Sequence, residues 1–354
     1  MTYSEFKTQY HVRLNPQQEA AVRQVQGPVL LLAVPGSGKT TVLVTRLGYM
    51  IYCKNIRPEN ILTVTYTVAA TKDMRARFVR FFGEEYADKL TFRTINGLCA
   101  VAIHYYAAQK GAQPFALADD ESRLNAVIRE LLSKGGGGYP PDQQVKEART
   151  HITYCKNMMF SDADVETHQV DGMDFPAVYK GYQAFLLKNR LMDFDDQMVF
   201  TYRIFRQYPD ILAHFQRRWP YLCVDEAQDT SKIQHTILRL LAAKSRNIFM
   251  VGDEDQSIYG CTVQIFLTPS CNLGAQGILR FGLHQQQFGI PHGHKSKYNK
   301  KDKHRAHNTA HKIFGNAGVP VKRYHITENQ YNYDKTDSAN SQKRISRGTV
   351  IFRL

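Results

Sequence analysis

Two apolar runs in the second half of the sequence each end in acidic or amide side chains. The run at 222–224 is followed by Asp225 and Glu226, and the run at 248–251 is followed by Asp253 and Gln256. In such a set one carboxylate can hold Mg²⁺, a second can activate water, and an amide can sense a γ-phosphate. The pattern suits a nucleoside triphosphate site, although two strands that end in ordinary polar turns would also produce it.

A second half-site lies about 185 residues nearer the N-terminus. At residues 29–41 an apolar run is followed by a Gly-rich turn, then by Lys39 and Thr40, and then by apolar residues at helical spacing. A phosphate-binding loop needs this order of strand, loop and helix N-terminus, with the lysine on the β- and γ-phosphates and the threonine on Mg²⁺. Ala33 replaces the usual first glycine of the motif. The predicted nucleotide-binding residues of this loop are Pro35, Gly36, Ser37, Gly38, Lys39, Thr40 and Thr41.

Further short motifs surround these half-sites in a fixed order. They are L-N-P-Q-Q (14–18), T-Y-T-V-A-A (65–70), T-I-N-G-L-C (94–99), M-D-F-D-D (192–196), V-D-E-A-Q-D-T (224–230) with Gln234 downstream, and G-D-E-D-Q-S-I-Y-G (252–260). In order and spacing the set resembles the superfamily 1 DNA helicases of the UvrD/Rep type, over about residues 11–260.

The resemblance implies ATP and Mg²⁺ as cofactors and gives roles to matching positions. Gln18 stands where the family reads adenine, Asp225 where it helps to hold the metal, and Glu226 where a base activates the attacking water. Gln256 stands where the γ-phosphate is coupled to DNA. The catalytic residues implied are Lys39, Asp225, Glu226 and Gln256, and the metal ligands implied are Thr40 and Asp225.

The resemblance also implies single-stranded and partly duplex DNA as the partner. Tyr66 and Tyr259 are candidates for stacking on bases, a contact worth about 1–3 kcal/mol per base, although either ring could instead pack in the ordinary way. The DNA-binding residues implied are Thr65, Tyr66, Thr94, Asn96 and Tyr259. The chain departs from the family at Val68 and Ala69, which replace Asn-Lys, and at Asn96, which replaces a histidine and cannot carry charge.

The predicted fold is α/β: a RecA-like P-loop core with a parallel sheet and a mainly helical inserted subdomain. Strands are expected near 29–33, 61–66, 221–224 and 247–251, and a helix at 121–132 precedes a loop at 134–141. The expected parts are the first part of the ATPase core (1–88), a helical insertion that helps to grip DNA or packs only as a bundle (89–198), the second part of the core (199–260), and an aberrant basic tail (261–354).

The tail has a different composition from the rest of the chain. Residues 261–354 contain 15 Lys and Arg against 4 Asp and Glu, so they carry most of the net charge of +14. Seven of the 13 histidines also lie there, and regular periodicity is lost between about 283 and 311. A shifted reading frame over about 261–313, leading into a remnant of a second motor domain, would explain this. A genuine basic arm that binds nucleic acid, and less readily a histidine-rich metal site, would be the alternatives, and the coding DNA distinguishes the frame shift from both.

Composition favours an enzyme of the cytoplasm. No run of 18 or more apolar residues occurs, and the N-terminus has no signal-peptide pattern. The six cysteines are scattered without a C-x-x-C pair, which is typical of a reducing compartment.

The function implied by the resemblance is ATP hydrolysis coupled to 3′ to 5′ movement along single-stranded DNA. Because the motifs of the second motor domain are missing, we expect a truncated form that binds Mg-ATP, hydrolyses it poorly and does not unwind duplex DNA. A P-loop protein in which ATP only switches DNA affinity, and an inactive helicase fragment, are the two alternatives.

Overall fold

A computed structural model describes residues 1–34, 36–134 and 138–253, and the backbone of 350–353. Pro35, Gln256, Tyr259 and the tail at 261–349 lie outside these residues, as does part of the predicted loop at 134–141. The predictions that concern these residues stay predictions.

The described strands confirm an α/β fold with a parallel sheet. They are β1 (Val29–Leu32), β2 (Ile61–Thr65), β3 (Thr91–Thr94), β4 (Ala116–Leu117), β5 (Leu191–Met192), β6 (Tyr221–Val224), β7 (Asn247–Gly252) and β8 (Val350–Arg353). Six of them form one sheet in the order β3-β2-β6-β7-β1-β8, and every neighbouring pair is parallel. The four strands predicted from the apolar runs are confirmed as β1, β2, β6 and β7, whereas β3 and β8 were not predicted.

Helices cover both faces of this sheet and also form a separate helical segment. They are α1 (Tyr3–Gln9), α2 (Pro16–Arg23), α3 (Lys39–Tyr52), α4 (Val68–Phe82), α5 (Ile95–Lys110), α6 (Glu121–Lys134), α7 (Asp142–Asn157), α8 (Asp162–Thr167), α9 (Phe175–Lys188), α10 (Phe194–Gln207), α11 (Pro209–Arg218) and α12 (Lys232–Ala242). None of these helices is long and apolar enough to span a membrane.

Side chains of the central strands alternate between two cores. Leu31 and Phe249 pack with α1 to α4, whereas Leu30 and Met250 pack with α5 and α10 to α12. Successive side chains of a strand point to opposite faces, so a parallel sheet covered on both sides needs continuous apolar strands. This requirement explains why β1 reads V-L-L-L and β6 reads Y-L-C-V.

A third core lies among helices α6 to α9. Its buried residues include Ile128, Val145, Phe175 and Tyr182. The short strands β4 and β5 pair in parallel where the chain enters and leaves this helical segment. β3 belongs to the main sheet although it follows residue 88, and the division of the chain at 88 and 198 stays a prediction.

The M-D-F-D-D motif joins the helical segment to the main core through buried charges. Lys156 Nζ on α7 lies 2.6 Å from Asp193 Oδ2 and 2.8 Å from Asp196 Oδ1, and the Tyr182 hydroxyl donates to Asp193. Asp193 also caps the N-terminus of α10 by accepting from the Asp196 N–H. Burial lowers the pKa of Lys156, but the two carboxylates outweigh burial and leave it above its ordinary value. The ammonium therefore stays charged inside the protein.

Removing this ammonium should destabilise the chain strongly. Lys156→Met leaves two buried carboxylates without their cation, so we expect the free energy of unfolding in urea to fall by about 3–5 kcal/mol. Lys180→Met, which breaks an exposed ion pair with Glu166, is the matched control and should change the free energy of unfolding far less. Equal losses in the two variants would contradict the importance of the buried network.

Candidate active site

Most of the candidate site residues that the structure describes follow the carboxyl ends of five neighbouring strands. β1 leads into the Gly-rich loop, β7 into Asp253, β6 into Asp225, β2 into Tyr66, and β3 ends at Thr94. Because all these strands are parallel, their carboxyl ends share one edge of the sheet, where ligands bind in open α/β folds. The structure therefore brings together residues up to about 220 positions apart in sequence.

The Gly-rich loop has the backbone of a phosphate cradle. Gly38 forms the N-cap of α3 at φ +84°, a left-handed conformation that strains other residues, and no side chain caps this helix. The N–H groups of the first turn therefore remain open to an anion, which the helix dipole also favours. The buried Ser37 Oγ has no hydrogen-bond partner among the described residues. Lys39, Thr40 and Thr41 follow directly and are half-buried.

Gln18 lies against this loop. Its Nε2 donates to the Ser37 carbonyl at 2.9 Å, and its Oε1 accepts from the Asn15 N–H in the capping box of α2. These bonds use one of two amide hydrogens and one of two oxygen lone pairs, so the side chain can still bind a further polar edge. Its place beside the loop is compatible with the predicted role in reading adenine.

Lys39 meets an acidic partner across the edge of the sheet. Its Nζ lies 3.4 Å from Asp253 Oδ2, and the Asp253 side chain is almost fully buried. The backbone supports this contact, because the Ala33 N–H donates to the Gly252 carbonyl where β1 and β7 end. The lysine is thus held at the strand end that neighbours Asp225.

The acidic pair follows β6. Burial raises the pKa of Asp225 to about 6, the charge of Glu226 adds to this, and Lys39 is among the groups that oppose it. Glu226 adopts a left-handed backbone conformation at φ +51°, which is uncommon outside glycine and is often found at functional sites. Asp225 and Thr40 are both half-buried. A carboxylate and a hydroxyl would supply oxygen ligands of the kind that Mg²⁺ prefers.

Gln228 connects the acidic pair with the end of β7. Its Nε2 donates to Glu226 Oε2 at 2.7 Å, and its Oε1 accepts from the Asp253 N–H at 2.9 Å. A Cβ on Gly252 would lie only 3.1 Å from Gln228 Oε1, so glycine allows this close approach. Gln228 was not among the predicted site residues. An amide inside the acidic motif V-D-E-A-Q-D-T was the sequence signal that could have found it.

The predicted DNA-contacting residues that the structure describes lie at the other end of the same edge. Tyr66 is 55% exposed and lines a pocket together with Asp225 and Glu226. Thr65 is buried and its hydroxyl donates to the Thr67 carbonyl, while Thr94 Oγ1 accepts from the Gly97 N–H as the N-cap of α5. The buried Asn96 Oδ1 accepts no hydrogen bond from the described residues. Contacts of these residues with DNA remain a prediction.

Comparison with known proteins now adds to the geometry. Residues 14–263 match the UvrD/REP helicase N-terminal domain. The chain belongs to the UvrD/REP helicase family. The ATP-dependent DNA helicase PcrA of Staphylococcus epidermidis is 36% identical over 252 residues, and PcrA of Staphylococcus aureus is 34% identical over the same length.

These matches cover 70% of this chain but only 34% of either relative. The chain therefore spans about a third of the length of the curated UvrD/REP relatives that it matches. The matched region contains the Gly-rich loop, the acidic pair and Tyr66, so the family assignment covers every part of the described edge.

Asp225 should make the metal-free chain less stable as pH rises. With a folded-state pKa of about 6 against an ordinary 3.8, the folded chain holds this proton between those values and the unfolded chain releases it. Asp225→Asn removes the penalty, so we expect the free energy of unfolding without Mg²⁺ to rise by about 2–3 kcal/mol at pH 8, and by about 1 kcal/mol less at pH 5. Urea titrations measure this, with the exposed Asp171→Asn as control; a gain that does not depend on pH would contradict the shifted pKa.

Proposed function

We propose that this chain is the nucleotide-binding part of an ATP-dependent DNA helicase of the UvrD/REP type. The observation that supports it most is the continuous set of contacts at the sheet edge. Lys39 touches Asp253, whose N–H binds Gln228, which in turn binds Glu226. Phosphate-binding and water-activating groups thus form one connected site.

In the proposed reaction, the open N–H groups of α3 and Lys39 bind the triphosphate, and Gln18 contacts the adenine. Thr40 and Asp225 would hold Mg²⁺, which when bound neutralises charge on the β- and γ-phosphates. Glu226, whose carboxylate is fixed by the Gln228 amide, accepts a proton from water as the water oxygen bonds to the γ-phosphorus. The bond from that phosphorus to the β–γ bridging oxygen breaks, and ADP and phosphate are the products. Gln228 is a positioning residue that holds Glu226 and the Asp253 backbone in place.

DNA contact is proposed for the β2 and β3 end of the edge. An exposed aromatic ring beside the acidic pair supports this, because stacking on single-stranded bases tolerates any sequence. The strand order places β6 between β7 and β2. A conformational change at Asp225 or Glu226 on β6 therefore has only to pass to the neighbouring strand β2 to reach Tyr66. The proposal also includes movement in the 3′ to 5′ direction, contact with partly duplex DNA and a cytoplasmic location.

Two substitutions should separate binding from hydrolysis. Lys39→Ala should weaken Mg-ATP binding about tenfold or more, because it removes the cation from the phosphates. Glu226→Gln should keep the affinity and abolish whatever turnover the chain has. Fluorescent-nucleotide titration and single-turnover hydrolysis with excess protein measure the two effects.

The exposed Lys89→Ala is the matched control and should change neither quantity. Failure of the unsubstituted chain to bind Mg-ATP would contradict the proposal. If ATP instead changes the affinity for single-stranded DNA without any hydrolysis, the chain is a nucleotide-dependent DNA switch.

Gln228 should affect hydrolysis far more than binding. Gln228→Ala frees the Glu226 carboxylate and leaves the buried Asp253 N–H without this acceptor, so we expect single-turnover hydrolysis to slow about 10- to 100-fold. Mg-ATP affinity should stay within about twofold. Gln216→Ala, which breaks a hydrogen bond to the Leu240 carbonyl on α12, is the control. A parallel loss of affinity in Gln228→Ala would show that the residue supports the whole site.

A further inference from the structure

Arg46 is a charged residue inside the core beneath the candidate site. It lies on α3, seven residues after Lys39, and is only 2% exposed. Burial lowers its pKa to about 10, so the guanidinium remains charged at neutral pH. Burying an ion is costly unless its donors are satisfied, and no carboxylate of the described residues forms an ion pair with Arg46. The chain therefore satisfies this charge in another way.

The guanidinium binds the C-terminal end of α2. Its Nη1 donates to the Ala21 carbonyl at 2.8 Å and to the Val22 carbonyl at 3.3 Å, and its Nη2 donates to the Val25 carbonyl at 3.4 Å. The last carbonyls of a helix have no partners within the helix, and a cation at this end also meets the negative end of the helix dipole. Arg46 thus fixes where α2 ends relative to α3.

The opposite side of the guanidinium faces the sheet. Its centre lies 4.2 Å from the centroid of the Phe249 ring on β7. The buried Cys223 on β6 is among the groups that influence the pKa of Arg46, whereas Arg46 Nε has no hydrogen-bond partner among the described residues. These strands end in Asp253 and Asp225. One side chain therefore contacts both the helix that bears Gln18 and the strands that bear the acidic residues.

Gln18 occupies the other end of α2. It binds the Ser37 carbonyl in the phosphate loop, which leads into α3. The short helix α2 is consequently held to the loop and helix of the phosphate site at both of its ends. A shift of its C-terminus would move Gln18 relative to the loop.

We propose that Arg46 is a positioning residue for base recognition: it fixes α2 so that Gln18 meets the adenine of a nucleotide whose phosphates lie in the loop. This inference rests on the proposed nucleotide site. A residue that only filled space would support adenine and phosphate contacts equally. Two directional bonds to the last turn of α2 and one to Val25 just beyond it instead make Arg46 act on the base end of the nucleotide.

The test compares Mg-ATP with Mg-tripolyphosphate, which has the phosphates but no base. In Arg46→Lys, which keeps the charge but loses the forked geometry, the preference for ATP over tripolyphosphate should fall about tenfold while tripolyphosphate affinity stays unchanged. Gln18→Ala should lower the preference similarly. In the double variant, Arg46→Lys should add little to Gln18→Ala, because both act through the same contact.

Two further variants keep the result interpretable. Phe249→Leu removes only the ring under the guanidinium and should lower the preference less than Arg46→Lys does; it serves also if Arg46→Lys does not fold. Phe205→Leu, in the core on the opposite face of the sheet, should destabilise the chain without changing the preference.

The outcomes separate the inference from the proposed function. If the unsubstituted chain binds neither ligand, the nucleotide site itself fails and the inference fails with it. If the unsubstituted chain prefers ATP and the Arg46 and Phe249 variants keep that preference, only the inference is overturned. The same holds if these variants lose affinity for Mg-ATP and Mg-tripolyphosphate equally. An additive effect of Arg46→Lys and Gln18→Ala would likewise overturn it.

Discussion

The parallel ladder β2-β6-β7-β1 is the constraint on which the rest of the structure depends. Lys39 and Asp253 are 214 residues apart, yet their side chains meet because β1 and β7 pair in register from Val29 and Phe249 onward. Parallel pairing requires helices to carry the chain back across the faces, which buries the strands on both sides. The continuous apolar strands are thus the reason why the polar residues of the site collect only at the strand ends.

The few polar groups buried inside this framework need hydrogen-bond or ion-pair partners. Arg46, Gln228 and Lys156 are each almost fully enclosed, and each is held by bonds to a different part of the chain. Leaving such a group without a partner costs more than a single hydrogen bond normally contributes. These residues therefore specify how α2, the acidic pair and the helical segment are placed. Leucine or methionine of similar size would fill the space without fixing the orientation.

The order of strands along the edge also separates two kinds of chemistry. The phosphate loop follows β1, the acidic pair follows β6, and the exposed Tyr66 follows β2. Neighbouring strands are about 4.8 Å apart, so the loop and Tyr66 lie about three strand spacings from each other. The acidic pair sits between them and lines one pocket with Tyr66. In the proposed function, this arrangement provides a short physical route between a nucleotide and a bound strand of DNA.

The sequence by itself determined the local features: the glycines that permit a left-handed turn at the start of α3, the apolar strands β1, β2, β6 and β7, and the acidic residues that follow β6. Each depends on residues close together in the chain, so pattern and backbone preference were enough. β3 was not foreseen because T-F-R-T is only half-buried and lacks a continuous apolar run. The contact of Lys39 with Asp253, the amide bridge through Gln228 and the bonds of Arg46 to α2 were decided only by the tertiary structure. They follow from the order in which distant strands pair, and that order is set by the packing of the whole sheet.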